Sequence, residues 1–120
     1  QIEGGFIQGM GWLTNEELYW DSSGILKTHA PSTYKIPLAS DRPDDFSISL
    51  VNWARNTEKT IKRSKAVGEP PLMLAISVHE AITMAVASTV NYKINPKLDT
   101  PATSERILDS IVRIQSESSV

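Results

Sequence analysis

Ser64-Lys65-Ala66-Val67-Gly68-Glu69-Pro70-Pro71-Leu72-Met73-Leu74 sets one carboxylate between a glycine and two prolines, directly ahead of a long apolar run. Gly68 opens backbone angles closed to other residues and lets neighbouring atoms come close. Pro70 lacks an N–H and steers Glu69 toward extended backbone. Pro71 suits the first turn of a helix, where its missing donor costs nothing. A helix is therefore expected over 71–90. Leu72, Leu74, Ile76, Val78, Ile82, Met84, Val86 and Val90 wrap most of its circumference, and a helix apolar nearly all round is buried between other elements. Glu69 then projects from the mouth of that helix, where the partial positive charge of the N-terminus favours an ionised carboxylate. Such a group can serve as a general base, or merely cap the helix.

The remaining chain supplies two more helices and several extended segments. Ile2, Phe6, Met10 and Leu13 recur at helical spacing over 2–17. Gly5 and Gly9, four apart, share one face of that helix, which suits close packing against a neighbour. Residues 17–28 read as a β-hairpin around Asp21-Ser22-Ser23-Gly24, with glycine at a left-handed position. His29 through Pro37 reads as extended. Phe46, Ile48 and Leu50 alternate with Ser47 and Ser49, as in a half-buried strand, and 59–63 suits a second short strand. The last helix is expected from Thr103, which can cap it, with Glu105 in its first turn and Ile107, Leu108, Ile111, Val112 and Ile114 as its stripe. Residues 116–120 are expected to fray. The sum is an α+β (mixed α/β) fold: a hairpin, one or two further strands and about three helices.

Bulk properties exclude several function classes. The chain has 120 residues and a net charge of −2, so nothing electrostatic points to nucleic acid. Cysteine is absent, which excludes disulfides, thiolate metal sites and iron–sulfur ligation within these residues and fits a cytoplasmic setting. No consecutive apolar run reaches the roughly 18 residues of a membrane span, and no signal peptide is evident. His29 and His79 have no companions at metal-ligand spacing. Gln1 is not an initiator residue and falls inside a helical pattern, as expected of part of a longer chain.

Lys65-Ala66-Val67-Gly68-Glu69-Pro70-Pro71-Leu72 resembles the segment around the catalytic glutamate of the xanthine dehydrogenases and oxidases, the molybdenum hydroxylases. Gln1-Ile2-Glu3-Gly4-Gly5-Phe6-Ile7-Gln8-Gly9 resembles a cofactor-contacting segment of that family. Ala30-Pro31-Ser32-Thr33-Tyr34-Lys35-Ile36-Pro37 and Thr100-Pro101-Ala102-Thr103 resemble two further segments in the same order. The stretch Asn52-Trp53-Ala54-Arg55-Asn56 matches no family pattern. The resemblance implies the C-terminal segment of a molybdopterin-binding domain, residues 1–120, that hydroxylates purines. Glu69 would be the base that activates the metal's hydroxide. Gln1 and Gly68 would touch the molybdenum–molybdopterin cofactor, whose metal needs no protein ligand. Iron–sulfur clusters and FAD would lie on other segments or a partner chain, with NAD as final acceptor in an oligomer. An aldehyde or another N-heterocycle as substrate, or a non-catalytic assembly role, are the alternatives. Alone, the segment is expected to be inactive.

Overall fold

Two glycines decide how the chain folds back on itself. In the computed structural model, which describes residues 1–65 and 67–119, helix α1 (Ile2–Thr14) lies against a short helix α2 (Glu69–Leu74). Ala66 and Val120, named in the motif and the fraying end above, fall outside the described residues. A Cβ on Gly5 would come within 2.9 Å of the Gly68 carbonyl oxygen and 3.3 Å of Pro71 Cβ. A Cβ on Gly9 would overlap the Leu72 carbonyl oxygen and lie 2.8 Å from Ala75 Cβ. The four-residue spacing therefore builds a seam along which backbone meets backbone.

From α2 the chain passes through Ala75, fully buried and still right-handed helical (φ −63°, ψ −13°), into α3 (Ile76–Ser88). Hydrogen bonds from Ala75 N to Leu72 O (3.2 Å) and from Val78 N to Ala75 O (2.9 Å) tighten this junction. The helix expected over 71–90 is thus two helices, and it begins at Glu69. That residue is helical despite the proline after it, where extended backbone was expected. Helix α4 (Ser104–Ser118) closes the far end. Its Thr103 cap accepts from Arg106 N at 3.4 Å, as expected, and its helical turns run on to Ser118 where fraying was expected. Val86, Val90 and Ile114 form the small core, with Ile82, Ile94, Ile107 and Ile111 packed on it.

The expected α+β class is not what the chain adopts. Among the described residues there is no strand and no sheet, and the arrangement is helical. The hairpin reduces to one antiparallel bridge between Trp20 and Leu26. Its turn forms as read: Gly24 has φ +79°, and Asp21 Oδ1 accepts from Ser23 N, Ser23 Oγ and Ile25 N at 2.7–3.0 Å. A two-stranded ribbon without a third strand is marginal, and Tyr19, Trp20 and Ile25 stay exposed. The alternating segment 46–51 finds no partner strand either; Phe46 instead packs on Phe6, ring centroids 5.3 Å apart. Residues 61–63 form a 3-10 turn, not a strand, with Lys62 and Arg63 at positive φ. Residues 30–33 turn rather than extend, with Tyr34 N bonding Ala30 O at 2.8 Å.

Burial also departs from expectation. The helix pair that reads as buried all round leaves Met73, Leu74, Ile76 and Met84 more than half exposed. Within the 20 residues Glu69–Ser88 an 18-residue window has a mean hydropathy of 1.4, long and apolar enough by length and composition to cross a membrane. Counting only consecutive apolar residues hides this, because Ser77, His79, Glu80 and Thr83 interrupt the run. Within the chain one side of it serves the core through Ala75, Val86 and Ala87. The chain exposes 9244 Å², against about 6,400 Å² for a folded monomer of its mass. Its radius of gyration is 18.4 Å, against about 13.6 Å for a closed domain of this length.

The seam predicts an order of sensitivity in the full-length protein. Gly9→Ala should cost about 1–3 kcal/mol by overpacking, and Gly5→Ala less, since its nearest neighbour is farther. Thermal unfolding of both variants checks this; equal melting temperatures would show that the seam is not a backbone contact. At the turn, the Lys27 ammonium 2.8 Å away, then the Ile25 amide and the Ser23 hydroxyl, lower the Asp21 carboxyl from the ordinary 3.8 to about 2. A depressed carboxylate stabilises the fold above its unfolded value and loses that contribution as pH falls through its folded one. The turn should therefore hold from neutral pH to near 4 and loosen toward 2, as a carboxyl NMR titration would read. Asp21→Asn should remove the dependence.

Candidate active site

The two cofactor-side candidates and the proposed base come to one end of the α1–α2 pair. Gly68 is the N-cap of α2, and its carbonyl accepts from Leu72 N at 3.1 Å. Its φ of −81° is open to any residue, so the left-handed freedom of glycine is not used here. What the missing side chain gives is room: an added Cβ would meet nothing within 4 Å among the described residues, while the backbone behind it touches Gly5. Glu69 follows as the first helical residue, exposed, with two prolines after it in the first turn. Among the described residues its carboxylate has no hydrogen-bond or ion-pair partner, and no side chain caps α2. The helix-cap use of Glu69 is therefore not realised.

Gln1 is the N-cap of α1, exposed, with its carbonyl accepting from Gly5 N at 3.0 Å. Gly5 is the residue pressed on Gly68, so Gln1 stands one helical turn, about 5.4 Å of rise, from that contact. Its carboxamide offers donors and an acceptor, and no cap bond occupies it. Beside this end lies an open groove of about 820 Å³. Ile2, Pro70, Pro71 and Leu74 line it, together with Arg55, Arg63 and Lys65.

The other two resembling segments gather at the opposite end of α1, about 20 Å away at 1.5 Å per residue. Tyr34 donates its hydroxyl to Glu16 Oε2 at 2.6 Å, and Pro37 packs on Gly11. Ala102 N donates to Leu13 O at 2.7 Å, and Arg106 Nη2 meets Glu17 Oε1 at 2.8 Å. The segments 30–37 and 100–103 thus brace the foot of α1 and are not brought to Glu69. Sequence reading missed Glu16, a buried carboxylate with no local pattern to mark it. His79 was read as an ordinary packing residue. It is mostly buried, with Nδ1 4.0 Å from Glu80 and Nε2 without a hydrogen-bond partner among the described residues. His29 lines a separate apolar cavity with Leu18, Tyr34 and Ile36.

Residues 1–43 match the model of the molybdopterin cofactor-binding domain. The chain is 45% identical over 117 residues to a xanthine dehydrogenase/oxidase of Rattus norvegicus, covering 93% of this chain and 9% of that protein. A xanthine dehydrogenase of Dictyostelium discoideum is 48% identical over 113 residues, 92% of this chain and 8% of the other. The chain belongs to the xanthine dehydrogenase/oxidase family. An indole-3-acetaldehyde oxidase of Zea mays is 41% identical over 86% of the chain, again 8% of the longer protein. The chain thus spans less than a tenth of the length of these relatives, and the cofactor of its matched domain is molybdopterin.

The Tyr34–Glu16 bond gives the foot of α1 a pH signature. The carboxylate accepting from Tyr34 raises the phenol above its ordinary 10.0. The bond's contribution is then fully present below 10 and lost as pH rises through the folded value. Tyr34→Phe strands a buried carboxylate and should cost about 1–3 kcal/mol. Denaturant unfolding of the full-length variant checks the cost, and near-wild-type stability would mean that water replaces the phenol.

Proposed function

We propose that these residues form the base-bearing end of a molybdenum hydroxylase acting on purines, with Glu69 as general base and Gln1 and Gly68 as cofactor contacts. The observation that carries the reading is an exposed carboxylate at the first position of α2, without a partner among the described residues. It is held by the Gly5–Gly68 contact near a free carboxamide, in a chain 45% identical to a xanthine dehydrogenase/oxidase. The residues suit a pterin group: Gly68 leaves a space that a side chain would fill, and Gln1 presents donors and an acceptor.

When bound, the molybdenum–pterin group supplies the oxygen that enters the substrate and takes up the electrons. Glu69 holds the proton released as that oxygen becomes nucleophilic, taking it on a carboxylate oxygen. The first turn of α2 fixes the carboxylate's position, since Pro70 and Pro71 restrict the backbone after it. Gln1 orients the cofactor through its carboxamide. Iron–sulfur clusters and FAD on other segments would carry the electrons onward, with NAD as final acceptor in this reading. The setting is cytoplasmic and the assembly oligomeric. A second reading rests on the Zea mays relative, named for an aldehyde substrate; the higher identities to xanthine dehydrogenases favour purines.

The test uses the full-length, cofactor-loaded protein. Glu69→Ala should lower xanthine turnover by about 10²–10⁴-fold, the contribution of a positioned general base, with molybdenum content unchanged. Turnover within a few-fold of wild type would remove Glu69 from the chemistry. Faster wild-type turnover of indole-3-acetaldehyde than of xanthine would move the assignment to the aldehyde branch.

A further inference from the structure

Four of the six glycines have a reason inside the chain. A Cβ on Gly5, Gly9 or Gly11 would run into packed neighbours, and Gly24 takes φ +79° in its turn. Gly4 and Gly68 have no such reason. Neither takes a positive φ, and an added Cβ on either would meet nothing within 4 Å among the described residues. Gly4 is exposed and lies within the first turn of α1, where glycine is less favourable than alanine. The two lie at one place: Gly4 precedes Gly5, and Gly5 is the residue pressed on Gly68.

Helical spacing sets Gly4 between two carboxamides. Gln1 and Gln8, three residues before it and four after, fall on its side of α1. All three residues are exposed. The strip they make is about 10 Å long at 1.5 Å of rise per residue. Gly11 continues the same side, and there Pro37 packs on it and closes the strip. Gly5 and Gly9 point away from it into the contact with α2.

We infer that this strip is the face of α1 that meets the pterin of the molybdopterin cofactor, with Gly4 the point of close approach and Gln8 a second carboxamide contact. The occupant is chosen by residues 1–43, which contain the whole strip and match the molybdopterin cofactor-binding domain. A pterin is flat and edged with amide and amino groups. Bare helix backbone at Gly4 suits the flat part, and carboxamides, each with donors and an acceptor, suit the edge. An apolar occupant would cover Gln1 and Gln8 without pairing them, which is unfavourable. The missing side chain at Gly4, idle in the fold, is then used by the ligand. This inference rests on the reading of Gln1 as a cofactor contact and carries it to two more residues. It does not depend on Glu69 being the base.

The test counts cofactor as well as turnover. Full-length protein is prepared with its cofactor. Molybdenum is measured per chain by mass spectrometry, and pterin by fluorescence after oxidative release. Gly4→Leu puts a side chain into the approach, and Gln8→Leu removes a carboxamide. Each should lower both contents about tenfold, the order of one lost interaction. Prepared without cofactor, Gly4→Ala should melt at or above the wild-type temperature, because alanine suits an exposed helix position better than glycine. Full cofactor content in either leucine variant would overturn the proposal. So would a lower melting temperature of cofactor-free Gly4→Ala, or failure of Gly4→Leu to fold, since the space would then belong to another part of the protein. Gln1→Ala is measured alongside. Loss of cofactor there with full content in the leucine variants keeps Gln1 as a contact and rejects the strip. Full content there with loss in both leucine variants supports Gly4 and Gln8 and removes Gln1. Xanthine turnover of Glu69→Ala reads the base separately.

Discussion

The contact of Gly5 and Gly9 with Gly68, Leu72 and Ala75 is the constraint on which the rest of the structure depends. It joins segments more than sixty residues apart through main-chain atoms, at a separation no side chain would allow. Once α1 lies on α2, Gln1 and Glu69 share an end. The opposite end of α1 receives Tyr34, Pro37 and Ala102. Helix α3 follows from α2 with little freedom at Ala75, and α4 then closes on α3 through Ile114.

What was legible in the sequence was local chemistry. Thr103 ahead of an amphipathic run reads as a cap because its hydroxyl can reach the first turn, and it does. Asp21-Ser22-Ser23-Gly24 reads as a turn because aspartate accepts from following amides and glycine takes φ +79°. The paired glycines read as a packing face, and their partner is α2. The motif around Glu69 read correctly as the start of a helix, although the residue before a proline was expected to stay extended.

What was not legible was partnership. The alternation of Phe46, Ile48 and Leu50 states only that one side is apolar; a strand also needs a neighbour with free amides and carbonyls, and these residues supply none. Glu16 and Tyr34 lie 18 positions apart, and Glu17 and Arg106 lie 89 apart, with no spacing rule to link them. The apolar girth of 72–90 was read as burial. Apolar periodicity counts side chains and not their neighbours, and Met73, Leu74, Ile76 and Met84 are more than half exposed.

The seam has a consequence for how such a segment can diverge. Helix α2 is gripped on one side by backbone contacts that hold only while Gly5 and Gly9 lack side chains. On its other side stand Met73 and Leu74, exposed apolar side chains that tolerate exchange. The inner contact works as a fixed datum, and the outer face can be re-cut to fit different neighbours. The carboxylate at the head of the helix keeps its height and tilt while the surroundings change.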